Sequence, residues 1–265
     1  MESKSPSDAG SLKRGVVLLK LLATAGRRGM ALTDLAAKAQ LPHPSAHRLL
    51  RQLVSERLAE RHADSKRYTL GPLAFELGVA SSTLYDIRDV CEAAMNGLAN
   101  ATGDTVYLVV RSGFDAVCMH RREGEYPVRA LVLEVGSRRP LGVGAGGLAI
   151  LSAMQHEERD EVIRRVAPSL ASFGDLTART LEEACVEAAS FGAAVIQNRV
   201  TLGIKAVGVP FRNSVGQPTG ALSVAALNHR LDTRRVDIVS KMLRAAAAEV
   251  ERQIRRLPPA TPRSR

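Results

Sequence analysis

The chain has 265 residues, no tryptophan, and only 3% aromatic residues. Because 45% of it is nonetheless hydrophobic, the core has to be aliphatic, and 24% charged residues is ordinary for a folded protein. Cysteine is scarce too. Cys91, Cys118 and Cys185 are odd in number and far apart, which suits neither a disulfide framework nor a zinc spacing; a reducing, cytoplasmic setting is expected. Long apolar runs are missing. Pro140–Gln155 is uncharged but too short and too Gly-rich to span a bilayer, and Val16–Leu19, after Lys13-Arg14, is broken by Lys20, so it reads as an amphipathic helix and not a leader. No membrane segment is expected. Also absent are a G-x-S-x-G elbow, an H-E-x-x-H helix and a P-loop lysine motif, while His120, His156 and His229 are scattered. Catalysis and a cofactor are therefore not expected.

What is present is positive charge, and it is unevenly placed. The net charge is +10, and residues 1–72, with 13 Lys+Arg against 6 Asp+Glu, hold +7 of it. The N-terminal quarter is the part suited to a polyanion such as nucleic acid. The length favours two domains.

After a polar stretch, residues 1–10, expected to be structureless, Leu12, Val16, Leu19 and Ala23 recur at helical spacing. Leu18, Leu21 and Leu22 add a second apolar face, more than a small domain needs, and suggest a partner chain. Thr33 is placed to cap a short second helix. A third, from about Pro44 to Ser55, carries Ala46, Leu49, Leu50 and Leu53 as its core stripe, and then Leu58–Arg61 and Lys66–Leu70 read as two strands around a charged tip. This order, three helices and a hairpin, is that of a winged helix-turn-helix. A linker helix is expected over 72–87, followed by a second domain over 88–257 and a frayed tail over 258–265, with the winged domain at 11–71. Alternating strands and clustered helices make the second domain α+β with paired, antiparallel strands.

A helix of about four turns fits the major groove of B-DNA while its other face stays in a core. In the third helix the outward residues are His43, Ser45, His47, Arg48 and Arg51. Arg offers a bidentate fork to guanine, Ser45 suits a phosphate at the helix N-terminus, and Lys66 and Arg67 at the wing suit the backbone or minor groove. His43 and His47 stand four apart, but Pro44 disfavours helical geometry at His43 and no third ligand is near, so no metal is expected.

The segments Leu12–Leu19, Leu32–Ala36, Leu41–Leu50 and Arg67–Gly71, then Leu98–Gly103, Val135–Leu141 and Gly203–Pro210, together resemble the IclR family of transcriptional regulators across nearly the whole chain. The resemblance implies a winged helix, a linker helix and a GAF-like effector-binding domain. It also implies a dimer or dimer of dimers on a pseudo-palindromic double-stranded operator, and a small organic or aromatic acid from catabolism as effector. Two positions depart from the pattern: Gln40 stands where Gly is usual, and Gly147 where a Lys is usual.

Gly142–Gly147 formally matches G-x-G-x-x-G, but the dinucleotide fingerprint needs a buried strand immediately before it, and Arg138-Arg139-Pro140 does not read as one. What remains is a helix N-terminus near Ala145 whose N–H groups are open to an anion. By resemblance the effector site has Gly144 and Ala145 on one side and Ile196, Ala206, Ser223 and Ala225 facing them. Only Ser223 is polar at these facing positions, which points to a ligand with an apolar or aromatic body and a carboxylate end. Two other readings stay open on the residues alone: a small-molecule enzyme with an appended basic domain, and a non-specific DNA-architectural protein.

Overall fold

A computed structural model of the protein describes residues 8–80 and 83–256; the expected C-terminal tail lies outside them. The chain divides into two compact units, the first reaching to residue 82 and including Val135–Ser137, the second formed by Thr83–Glu134 and the chain from Arg138 on. The first unit opens with α1 (Asp8–Ala25), α2 (Leu32–Lys38) and α3 (His43–Ser55). Helix α1 therefore begins inside the stretch expected to lack structure, Asp8–Gly10 being helical.

The face that α1 turns inward is the reverse of the expected one. Leu18 and Leu22 are buried with Leu35, Leu49, Leu50, Ala59 and Tyr68, whereas Leu12 is 75% and Val16 40% exposed. Both faces of α1 carry aliphatic residues, so spacing alone could not choose between them; packing on α2 and α3 does. Thr33 is not the cap either. Helix α2 starts at Leu32 after an extended Ala31, with no side-chain cap, and Asp34 in its first turn offers negative charge to the helix dipole.

Strands β1 (Ala59–Arg61) and β2 (Tyr68–Leu70) form the wing, with Ala59 opposite Leu70. Met30 bridges to Tyr68 from the other side, each N–H donating to the other's carbonyl at 2.9 Å. Gly29 makes that approach possible: at φ 61°, a Cβ there would stand 2.7 Å from the Tyr68 carbonyl. Helix α4 (Pro72–Ala80) follows and buries none of its residues, leaving Phe75, Leu77 and Val79 more than half exposed.

The second unit starts with α5 (Thr83–Thr102), ahead of the expected Arg88. Next come β3 (Thr105–Ser112), β4 (Asp115–Arg122), β5 (Arg138–Pro140), α6 (Ala145–Ser152), α7 (His156–Leu170) and α8 (Ala178–Phe191). β6 (Ala194–Gln197), β7 (Ile204–Arg212), β8 (Pro218–Leu227) and α9 (Thr233–Arg256) complete it. The six strands form one antiparallel sheet in the order β5-β4-β3-β8-β7-β6. Arg138–Pro140 is thus a strand after all. It is a half-buried three-residue edge paired to β4, not the buried strand that the dinucleotide fingerprint requires, and proline is tolerated at such an edge.

Side chains alternate across the sheet. Val106, Leu108, Val110, Leu222 and Val224 meet α5 and α9 in one aliphatic core, while Tyr107, Val109, Ala221 and Ala225 face α6, α7 and α8 in the other. The N-terminus of α6 comes unusually close to the sheet. A Cβ on Gly208 would lie 2.5 Å from the Ala145 carbonyl, and one on Gly146 3.0 Å from Val109.

Candidate functional site

Two places gather the residues singled out in the sequence, one in each unit. In the first, α3 buries Ala46, Leu49 and Leu50 and exposes His43, His47, Arg48 and Arg51, with Ser45 half-buried in the first turn. The helix contains no acidic residue, and neither Arg48 nor Arg51 has a hydrogen-bond or ion-pair partner among the described residues. Its positive face is therefore unneutralised by its own fold. Val54 and Ser55 border a groove between α3 and the wing that is also lined by His47, Arg51, Arg61 and Tyr68.

The wing residues divide. Lys66 is exposed at the tip with φ 56°, free to meet a backbone. Arg67 is half-buried and already occupied: Nε donates to the Arg28 and Gly29 carbonyls at 3.0 and 3.1 Å, and Nη2 to Gly29 at 3.0 Å. Its guanidinium fastens the hairpin to the segment before α2. The cation that does point into the groove is Arg61 on β1, which the sequence reading missed because it sits in the strand and not at the charged tip.

In the second unit, Gly144, Ala145, Ile196, Ala206, Ser223 and Ala225 all line one cavity, of about 50 Å³, between the N-terminus of α6 and the sheet. Gly144 ends the loop in an extended conformation, and α6 begins at Ala145 beside that space with no side-chain cap, so its first N–H groups have no partner within the helix. Position 147 is tightly surrounded. A Cβ on Gly147 would stand 3.2 Å from both Ala116 and the Gly142 nitrogen, so a larger residue requires those neighbours to give by a few tenths of an ångström.

Of the further lining residues that were not read as site residues from the sequence, four bear on its chemistry: Tyr107, Cys118, Arg139 and Arg199. The Tyr107 hydroxyl donates to the Ala130 carbonyl at 2.6 Å and accepts from the Val132 N–H at 3.0 Å, pinning the segment that closes the cavity. Arg139 Nη2 donates to the Val132 carbonyl at 2.6 Å. Burial pushes the Cys118 thiol up to about 12, so it stays protonated and un-nucleophilic near neutral pH. Partial burial likewise lowers the pKa of Arg139 and of Arg199, both half-buried. None of the four carries a periodic signal, since each owes its place to a sheet face or an irregular segment.

The lone histidines do not converge. His120 lies 3.1 Å from Glu92, His156 beside Arg159 and Asp160, and among the described residues no group of three His, Cys, Asp or Glu side chains is placed to hold a metal ion. No described helix is long and apolar enough to cross a membrane.

The family model for the IclR helix-turn-helix domain matches residues 11–63, and that for the C-terminal part of the bacterial transcriptional regulator IclR matches 79–252. The chain belongs to the IclR family. It is accordingly a bacterial-type, ligand-responsive, DNA-binding transcriptional regulator, and the two family domains correspond to the α3-bearing unit and the cavity-bearing unit. It is 28% identical over 232 residues to the HTH-type transcriptional regulator KipR of Bacillus subtilis, covering 85% of this chain and 90% of that protein. It is 25% identical over 252 residues to the HTH-type transcriptional repressor AllR of Escherichia coli, covering 94% and 92%.

Solved structures agree on the IclR fold. The regulator from Alicyclobacillus acidocaldarius matches with a TM-score of 0.73 at 24% identity over 95% of this chain and 100% of that one. An IclR homologue from Microbacterium hydrocarbonoxydans, complexed with 4-hydroxybenzoate, matches with a TM-score of 0.71 at 24% identity over 92% and 99%.

Proposed function

We propose that this IclR-family regulator docks α3 in the major groove of a pseudo-palindromic operator as a homodimer or dimer of dimers, and controls a catabolic operon in response to a small organic or aromatic acid. The observation that carries the DNA reading is the outward face of α3: two histidines and two arginines, unpaired and without an acidic neighbour on the helix. His43, Ser45, His47, Arg48 and Arg51 are the residues assigned to the duplex, with Lys66 and Arg61 at the wing and Arg67 in a supporting role.

Dimerisation is supported by apolar side chains that the unit itself leaves uncovered, Leu12 and Val16 on α1 and Phe75, Leu77 and Val79 on α4. Two copies also match the symmetry of two half-sites about 34–36 Å apart, or a multiple of it. The effector is assigned to the cavity at Gly144, Ala145, Ile196, Ala206, Ser223 and Ala225, in a protein without catalytic activity that works in the cytoplasm. The 4-hydroxybenzoate held by the Microbacterium homologue supports an aromatic acid. At about 50 Å³ the cavity is smaller than the roughly 150 Å³ that admits benzene in an engineered core, so an aromatic ring enters only if the segment around Val132 moves outward. That movement, passed through the linker helix α4, is the proposed trigger.

Footprinting on the DNA upstream of its own gene tests the reading. A regulator protects a defined, two-fold related site; an architectural protein protects none preferentially, and an enzyme turns over a small substrate without DNA. The last two results would each overturn the proposal.

A further inference from the structure

The cavity is apolar on most of its wall but holds two guanidinium groups, Arg139 and Arg199, and no carboxylate among its lining residues. A cation in such a place is costly unless something pairs with it. Arg139 has spent a terminal nitrogen on the Val132 carbonyl. Arg199 has not: its Nη1 is buried and has no hydrogen-bond partner among the described residues. Nor is the side chain there by slack in the chain. It lies on the turn between β6 and β7, where Asn198, at φ 55°, accepts from the Gly203 N–H and from the Asn228 amide, both at 2.8 Å. The acidic residue that acts on Arg199 is Glu187 of α8, and the two form no ion pair among the described residues.

We propose that Arg199 is the anion anchor of this cavity, its guanidinium taking the carboxylate of a monocarboxylic acid whose apolar body rests against Ile196, Ile204 and the sheet. This deepens the effector reading and rests on it. The open N–H groups at the start of α6 stand ready for a polar atom of the same ligand, while the charge that discriminates acid from neutral analogue comes from Arg199. A guanidinium suits the task because its fork matches the two carboxylate oxygens and it stays charged when partly buried.

Calorimetry on the intact chain with two acid–amide pairs of different bulk, benzoate with benzamide and isobutyrate with isobutyramide, tests it. The wild type binds at least one acid roughly tenfold or more tightly than its amide; Arg199→Gln brings that ratio near one, and Arg199→Lys keeps part of it. An Arg199→Gln protein that retains the full preference would remove Arg199 as anchor and leave the cavity as effector site. If Arg199 only braces α8 through Glu187, the variant melts earlier with the acid-to-amide ratio unchanged, and the anchor is again overturned. A wild type that binds neither pair would sink the anchor and the effector reading together.

Discussion

Arg48 and Arg51 face outward because Ala46, Leu49 and Leu50 hold the other side of α3 in the core, and nothing on the helix neutralises them. Arg48→Ala is expected to cost about 1–3 kcal/mol of discrimination at one base pair of the operator and little at unrelated DNA, as read by competition binding with single-base variants of the site. A uniform loss on all sequences would make it a phosphate contact. Gln40 presents a different residue-scale problem. It sits at φ 54° where α2 gives way to the α3 turn, a conformation that costs an L-residue about 1–2 kcal/mol and that glycine adopts freely, which is the physical sense of the family's usual Gly. Gln40→Gly should stabilise the first unit by about 0.5–1 kcal/mol after the added chain entropy, seen as a later first transition in thermal unfolding of the intact chain.

At the scale of elements, the approach of α6 to the sheet creates the cavity and depends on glycine. Gly208→Val would drive a side chain into the Ala145 backbone, so it should destabilise the second unit by about 1–3 kcal/mol and abolish binding of any acid that the wild type takes up, measured by denaturation and calorimetry. The opposite face is tied by charge. Asp104, its side chain 2% exposed, accepts from Arg230 at 2.8 Å and from Arg235 at 3.0 Å, and Arg230 also lies 3.6 Å over the Tyr126 ring. Asp104→Ala leaves both guanidiniums, which are partly exposed and keep the Thr102 carbonyl, without that partner and should cost about 1–3 kcal/mol in denaturant unfolding.

These elements were unequally legible in the sequence. The α3 stripe follows directly from an apolar period of 3.6, whereas β3, β7 and β8, buried on both faces, show as apolar runs between turns and not as a period of 2. The inward face of α1 did not follow, because leucines lie on both sides of it, and the cap assigned to Thr33 fell one residue inside the helix. All six effector positions named from the family resemblance line one cavity, but the charged residues there, Arg139 and Arg199, sit on a short edge strand and in a turn, where no period marks burial. Arg67 was read as a DNA contact and Arg61 was not read at all for a similar reason: which arginine of the hairpin folds back onto Gly29 depends on the hairpin's geometry, not on its composition.

For the whole molecule, most of the net positive charge lies in residues 1–72, while the largely apolar cavity, with its two guanidinium groups, belongs to the second unit. Charge of that kind brings the protein to DNA of any sequence with steep salt dependence, so salt alone does not separate regulation from bulk binding. The discriminating quantity is coupling between the two sites. It is measured most directly as the affinity of the intact protein for a duplex from upstream of its own gene, with and without a saturating carboxylic acid that calorimetry has shown to bind. A shift of roughly 5–150-fold in either direction, corresponding to a coupling of about 1–3 kcal/mol, is the expected result. Superimposable binding curves in the presence and absence of that acid would contradict the account.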